Sequence, residues 1–171
     1  SKTNPDIKFV SPVSGTITAI ERGPKRKIER ICIAASKTQK FVSHSVQGWE
    51  KMDREQLKAL LMEGGTWPFI HQRPYGVMAN PDDTPKAIFV NTVKTNPLSE
   101  DLRFVLKDDQ KEFQLGIDLL NKLVDQPIFL GTDKAQMGYF QTVEGVQHYT
   151  VEGPHPAGNL SLHIQNITPL N

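Results

Sequence analysis

The residues best suited to chemistry lie near the C-terminus, in Gly153-Pro154-His155-Pro156-Ala157-Gly158. Two prolines hold an imidazole on a stiff loop, and a glycine at each end permits backbone that other residues avoid. Such a loop either presents His155 to a ligand or partner, or is a rigid turn whose histidine is incidental. His148 precedes it and His163 follows it. Three histidines raise the question of a metal. Glu152 lies within four residues of both His148 and His155, but His163 has no carboxylate close by in sequence to orient its ring, so no metal is expected. A second polar stretch, Thr92-Val93-Lys94-Thr95-Asn96-Pro97-Leu98, ends an apolar run. Thr95 and Asn96 there either line a ligand crevice at the end of a strand or cap the turn that follows.

Other signals are weaker. A phosphate loop needs glycines after a strand and before a helix, so that backbone N–H groups face the anion. Gly64-Gly65 follows a helical pattern instead and reads as a helix stop. Thr132-Asp133-Lys134-Ala135 resembles the Asp-Lys-Ala turn that receives lipoate, but Ser11-Pro12-Val13-Ser14-Gly15 lies upstream of it rather than downstream. The position equivalent to a carrier lysine falls near Lys2, which lacks the preceding Asp. There is no Gly-x-Ser-x-Gly elbow, and Cys32 sits in an apolar β run where it packs rather than reacts.

The elements that must position these residues change character along the chain. Ile7–Val10, Thr16–Ile20 and Ile28–Ile33 read as strands, with a turn over residues 21–25 in which Gly23 supplies the permissive backbone. Phe41–His44 is a further strand candidate. Asp53 and Gln56 have capping-box spacing before Leu57, Leu60 and Leu61, which predicts a helix ending at Gly64. Trp67 to Tyr75 is an aromatic, proline-interrupted link. Ala87–Val93, Pro127–Gly131 and Val146–Val151 read as buried strands, with an amphipathic helix over 108–124 and another from about Leu160. Strand, helix, strand, strand predicts a right-handed βαβ unit in a mainly parallel sheet. The expected fold is therefore α/β, with a β-rich module over residues 1–45 and an α/β module over 50–171.

Composition sets bounds on function. The chain has 171 residues, 20 Lys and Arg against 19 Asp and Glu, one Cys, and 37% hydrophobic residues. A net charge of +1 removes the main reason to expect nucleic acid. One cysteine excludes an internal disulfide and an iron–sulfur cluster held by this chain alone. No apolar stretch is long enough for a membrane span.

Four ordered motifs resemble one family. They are Ser11-Pro12-Val13-Ser14-Gly15-Thr16-Ile17, Arg22-Gly23-Pro24-Lys25-Arg26, Thr95-Asn96-Pro97-Leu98 and Gly153-Pro154-His155-Pro156-Ala157-Gly158 followed by His163. The chain resembles the A subunit of the Na+-translocating NADH:quinone oxidoreductase over essentially its whole length. The first motif is shared by all biotinyl/lipoyl-type hammerheads; the last is more specific.

The resemblance implies a partial β hammerhead followed by a Rossmann-like parallel-sheet domain, related to the flavin subunit of respiratory complex I. It implies a peripheral subunit on the cytoplasmic side of the bacterial inner membrane, docked to other subunits of the pump and to a membrane subunit in particular. Electrons there pass from NADH to ubiquinone while Na+ is exported. No covalent cofactor is expected, and FMN is not expected, because Trp67 and Phe69 stand where flavin-binding relatives have a glycine-rich loop. Quinone is the ligand to consider, with His155 and His163 as hydrogen-bond partners and Trp67, Phe69 and Tyr75 as a ring slot. Gly153, Pro154, Pro156, Gly158, Thr95 and Asn96 form the loops that would meet the ligand or partner. A flavin- or NADH-binding redox domain is the competing expectation. The chain is also expected to be an excised piece whose hammerhead half exposes strand edges.

Overall fold

The computed structural model describes residues 4–45 and 47–169, so Lys2 lies outside the described residues. The chain forms two compact units, Ser1–Ile70 and His71–Asn171.

The first unit opens with a turn rather than the expected strand over Ile7–Val10. Ile7 is buried, and the Lys8 N–H donates to Met62 O at 3.1 Å, so this segment pairs with a helix end. Strands β1 (Gly15–Arg22) and β2 (Ile28–Ala35) form an antiparallel hairpin. Ile17 pairs with Ile33 and Ala19 with Cys32, which leaves Thr18 as a bulge. The bulge explains why the apolar alternation slips by one residue between Ile17 and Ile20. Gly23 has an ordinary negative φ; the left-handed positions of the turn are Lys25 (φ 55°) and Arg26 (φ 61°). Phe41–His44 is not a strand. Phe41 and Val42 are exposed, and the preceding segment is held by side chains instead, with the Ser14 hydroxyl donating to Lys40 O and Gln39 Oε1 accepting from Ser14 N–H.

Helix α1 (Arg54–Glu63) begins with the expected capping box: Asp53 Oδ1 accepts from Gln56 N–H, and Gln56 Oε1 accepts from Asp53 N–H. Its stop is a Schellman motif. Thr66 N–H donates to Leu61 O, Gly65 N–H to Met62 O, and Gly65 takes φ +74°. A 3-10 turn at Trp67–Phe69 follows and buries Trp67. The helix therefore belongs to the first compact unit, whereas the change of residue pattern lies near residue 50.

The second unit begins with a small hairpin, β3 (His71–Gln72) and β4 (Val77–Met78). Its core is a parallel sheet of β5 (Ile88–Asn91), β6 (Ile128–Thr132) and β7 (Gln147–Thr150), in that spatial order. A one-turn helix α2 (Leu102–Val105) and the long α3 (Gln110–Leu123) join β5 to β6. Another one-turn helix, α4 (Met137–Phe140), lies between β6 and β7, and α5 (Leu160–Ile167) follows β7. The α/β class with a parallel sheet agrees with expectation.

Register separates the two faces of the sheet. Ile88, Val90, Ile128 and Leu130 share one face, where Ile128 and Leu130 are almost fully buried. Phe89, Phe129, Gly131 and Tyr149 share the other, with Phe89 and Phe129 stacked at 4.9 Å between ring centroids. Phe113 of α3 meets Phe140 of α4 at 5.3 Å, while His163 of α5 meets Tyr149 at 5.5 Å. Helix α5 thus covers the face that carries Tyr149, and α3 and α4 pack on each other.

Candidate functional site

Parallel strands end together at one edge of the sheet, and the loops leaving that edge are where α/β proteins bind ligands. Here the loop after β5 carries Thr92 to Asn96 and the loop after β7 carries Gly153 to Gly158. The structure joins them. Asn91 Nδ2 donates to Gly158 O at 3.0 Å, and Gly158 N–H donates to Thr95 Oγ1 at 3.0 Å. A Cβ on Gly158 would stand 2.8 Å from Thr95 Oγ1 and 3.1 Å from Val93 O. Glycine is required there because the two loops approach too closely for a side chain.

Thr95 also fixes His155. Its Oγ1 lies 3.3 Å from His155 Nδ1. That oxygen accepts from Gly158 N–H and keeps its own proton free to donate to Nδ1; in that tautomer Nε2–H is an outward donor. His155 is exposed, on a loop with a cis His155–Pro156 bond and with Gly153 at φ +132°. The loop is braced by Ala157 N–H to Pro154 O and Asn159 N–H to Pro156 O, both at 2.8 Å. Asn159 then caps α5 by accepting from Ser161 N–H. Asn96 is exposed beside Thr95.

His163 is placed differently. It is buried, with Nε2 at 2.7 Å from Ala157 O and Nδ1 at 2.9 Å from Tyr149 OH. A carbonyl only accepts, so Nε2 carries the proton and Nδ1 accepts from Tyr149. Both nitrogens are therefore used inside the unit, and the residue positions the loop rather than offering itself to a ligand. Burial pushes the Tyr149 phenol up to about 12. Gly131 makes room for it, since a Cβ there would lie 2.4 Å from the Tyr149 oxygen. Thr92, also buried, places its hydroxyl 2.8 Å from Gly131 O and 3.2 Å from Gln136 Oε1. Beside these strand ends is a pocket of about 300 Å3 lined by Thr132, Met137, Gln141, His148, Tyr149 and Thr150.

The aromatic residues do not share one setting. Trp67 is buried and Phe69 is 81% exposed, both in the first unit; Tyr75, in the second, is 83% exposed. Three side chains of the edge network escaped the sequence reading: Asn91, Gln136 and Tyr149. The available signals were an amide closing an apolar strand and a tyrosine opposite a glycine in the neighbouring strand.

Other chemistry has little support in the geometry. His148 Nε2 sits 2.8 Å from Val143 O, and among the described residues no three His, Cys, Asp or Glu side chains cluster as a metal would require. Lys134 pairs with Glu152 at 2.7 Å on a turn between a strand and a helix, not at the tip of a β hairpin. Among the described residues, no helix is long and apolar enough to cross a membrane.

Residues 52–171 match the family described as NqrA second alpha/beta domain, and residues 1–36 match that described as NqrA N-terminal barrel-sandwich hybrid domain. Relatives named as the A subunit of Na(+)-translocating NADH-quinone reductase include those of Alcanivorax borkumensis (31% identical), Vibrio vulnificus YJ016 (30%) and Histophilus somni (33%). Each alignment covers 99% of this chain. The chain spans 38–39% of the length of those relatives. With 52–171 matched to the second domain, the chain belongs to the NqrA family.

Proposed function

We propose that the chain works as a region of the A subunit of a Na+-translocating NADH:quinone reductase, supporting quinone reduction without holding a redox centre of its own. The observation that carries this reading is the ordered match to both NqrA domains, with relatives of that name aligned over 99% of the chain. The proposed setting is peripheral, on the cytoplasmic side of the membrane, against other subunits of the pump, one of them a membrane subunit. Absence of FMN is part of the proposal. Gly64-Gly65 is consumed as a helix stop, and a Cβ at Gly65 would meet Val10 at 2.5 Å, so this backbone is packed rather than open to a phosphate.

For quinone, we propose His155 as the donor to one carbonyl, steadied by Thr95. His163 holds the loop through Ala157 O. Tyr75 is an exposed aromatic surface of the same unit for ring or subunit contact; in the first unit Phe69 is an exposed aromatic surface for subunit contact, and Trp67 serves packing. The test is His155→Phe in the assembled complex, with NADH:quinone reductase kinetics as the readout. The expected result is a rise in the quinone KM with assembly unchanged. A KM equal to wild type would remove quinone from this loop while leaving the subunit role standing.

A further inference from the structure

The chain's net charge of +1 conceals one concentrated site. Residues 22–30 hold five Lys and Arg against Glu29, a local charge of +4, so the rest of the chain together carries −3. These residues form the turn of the β1–β2 hairpin and the start of β2, and Lys25, Arg26 and Lys27 are exposed at its tip. Part of the charge is spent within the hairpin. Arg30 pairs with Glu21 at 3.3 Å, and Arg22 Nη1 donates to Arg26 O at 3.2 Å. Lys25, Arg26 and Lys27 have no ion pair among the described residues.

The turn holds these cations at a conformational cost. Lys25 (φ 55°) and Arg26 (φ 61°) are consecutive residues in the left-handed region, and among the described residues Leu98 is the one other non-glycine there. A Cβ disfavours that region, and turns that need it ordinarily use glycine or asparagine. Neighbouring cations also repel each other. The rest of the turn fixes the backbone regardless. Pro24 allows one φ, Gly23 N–H donates to Lys27 O at 2.8 Å, and Lys27 N–H donates to Pro24 O at 3.2 Å. Strain kept against local preference and against repulsion points to function rather than to folding.

A fixed array discriminates between anionic partners. A bilayer draws cations by charge whatever their arrangement, and a flexible polybasic segment serves it as well. A protein surface holds its carboxylates in place. Donors already set to meet them lose less freedom on binding. Arg26 adds a forked guanidinium that matches a carboxylate.

We propose that the turn over residues 22–27 docks on an acidic patch of another protein subunit, with Lys25, Arg26 and Lys27 as its charged contacts. This rests on the reading of the chain as part of a multi-subunit pump. The attraction acts mainly on the rate of encounter and weakens with salt.

The test is association of the whole A subunit with the rest of the pump at low and high salt. The native subunit is compared with one carrying Lys25→Gln, Arg26→Gln and Lys27→Gln together. At low salt the variant is expected to associate about ten-fold more slowly or worse, with its thermal midpoint unchanged, because the three side chains have no ion pair to lose. In the native complex, a carbodiimide, which condenses an amine with a carboxylate, is expected to link Lys25 or Lys27 to an Asp or Glu of another subunit. Equal association rates, or links confined to the same chain or a second copy, would overturn the docking turn. Phosphatidylglycerol vesicles that bind the native subunit and not the variant, with no link to another subunit, would assign the turn to lipid instead. A native subunit that never joins the pump would bring down the subunit reading, and this proposal with it.

Discussion

Tyr149 and His163 show how a single pair of side chains sets the shape of a loop. Removing the hydroxyl in Tyr149→Phe leaves a buried Nδ1 without a donor, which costs about 1–3 kcal/mol in urea unfolding. The same phenol adds a pH dependence. Burial disfavours the phenolate, so the folded pKa lies above the ordinary value of 10.0. Stability tied to the protonated phenol is complete below 10.0 and is lost as pH rises through about 12. Urea midpoints across that window should fall more steeply for the native chain than for Tyr149→Phe. Gly158→Ala tests the loop junction directly. Its methyl would meet Thr95 and Val93, with an expected cost of about 1–3 kcal/mol and a shifted His155 imidazole resonance. An unshifted resonance would mean that Thr95 does not steady the ring. The histidines were legible from sequence as residues, but their roles were not. His155 and His163 stand close in sequence, yet one faces solvent and the other a tyrosine from β7.

Elements differ in how much of their form is local. Helix α1 was readable end to end because its signals act within a few residues: Asp53 and Gln56 at the start, Gly64-Gly65 at the stop. Asp53→Ala should therefore lower stability by about 0.5–2 kcal/mol, seen as a lower thermal midpoint by circular dichroism. Strands β5, β6 and β7 were legible for a similar reason, as apolar runs between turn residues. Phe41–His44 has the same apolar look without becoming a strand, because a strand requires a partner and none pairs with it among the described residues. The bulge at Thr18 was hidden in a pattern that slipped by one residue. The short α2 and α4 gave no periodic signal, since one turn is too brief to show one.

At the scale of the molecule, the β1–β2 hairpin carries its apolar residues in the open. Ile17, Ile20, Ile28 and Ile31 are each about half exposed. Open strand edges and exposed apolar side chains favour association. Light scattering of the 171-residue chain should rise with concentration, and Ile17→Lys with Ile31→Lys should suppress that rise. Flavin gives a second check at this scale. Riboflavin phosphate fluorescence is expected to be unchanged on mixing with the chain, whereas tight quenching would return the competing redox-domain reading. By itself the sequence determined the α/β class, the capped helix, the strands of the parallel sheet and the family, because these depend on local periodicity and on motifs in a fixed order. Only the tertiary structure decided that Thr95, Asn91 and Gly158 close one junction, that His163 is spent on Tyr149 and Ala157, and that α5 packs against β5. The junction joins residues 63 and 67 positions apart, and His163 reaches 14 positions back to Tyr149. They follow from which strand ends meet at one edge of a sheet, and no local pattern of residues encodes that.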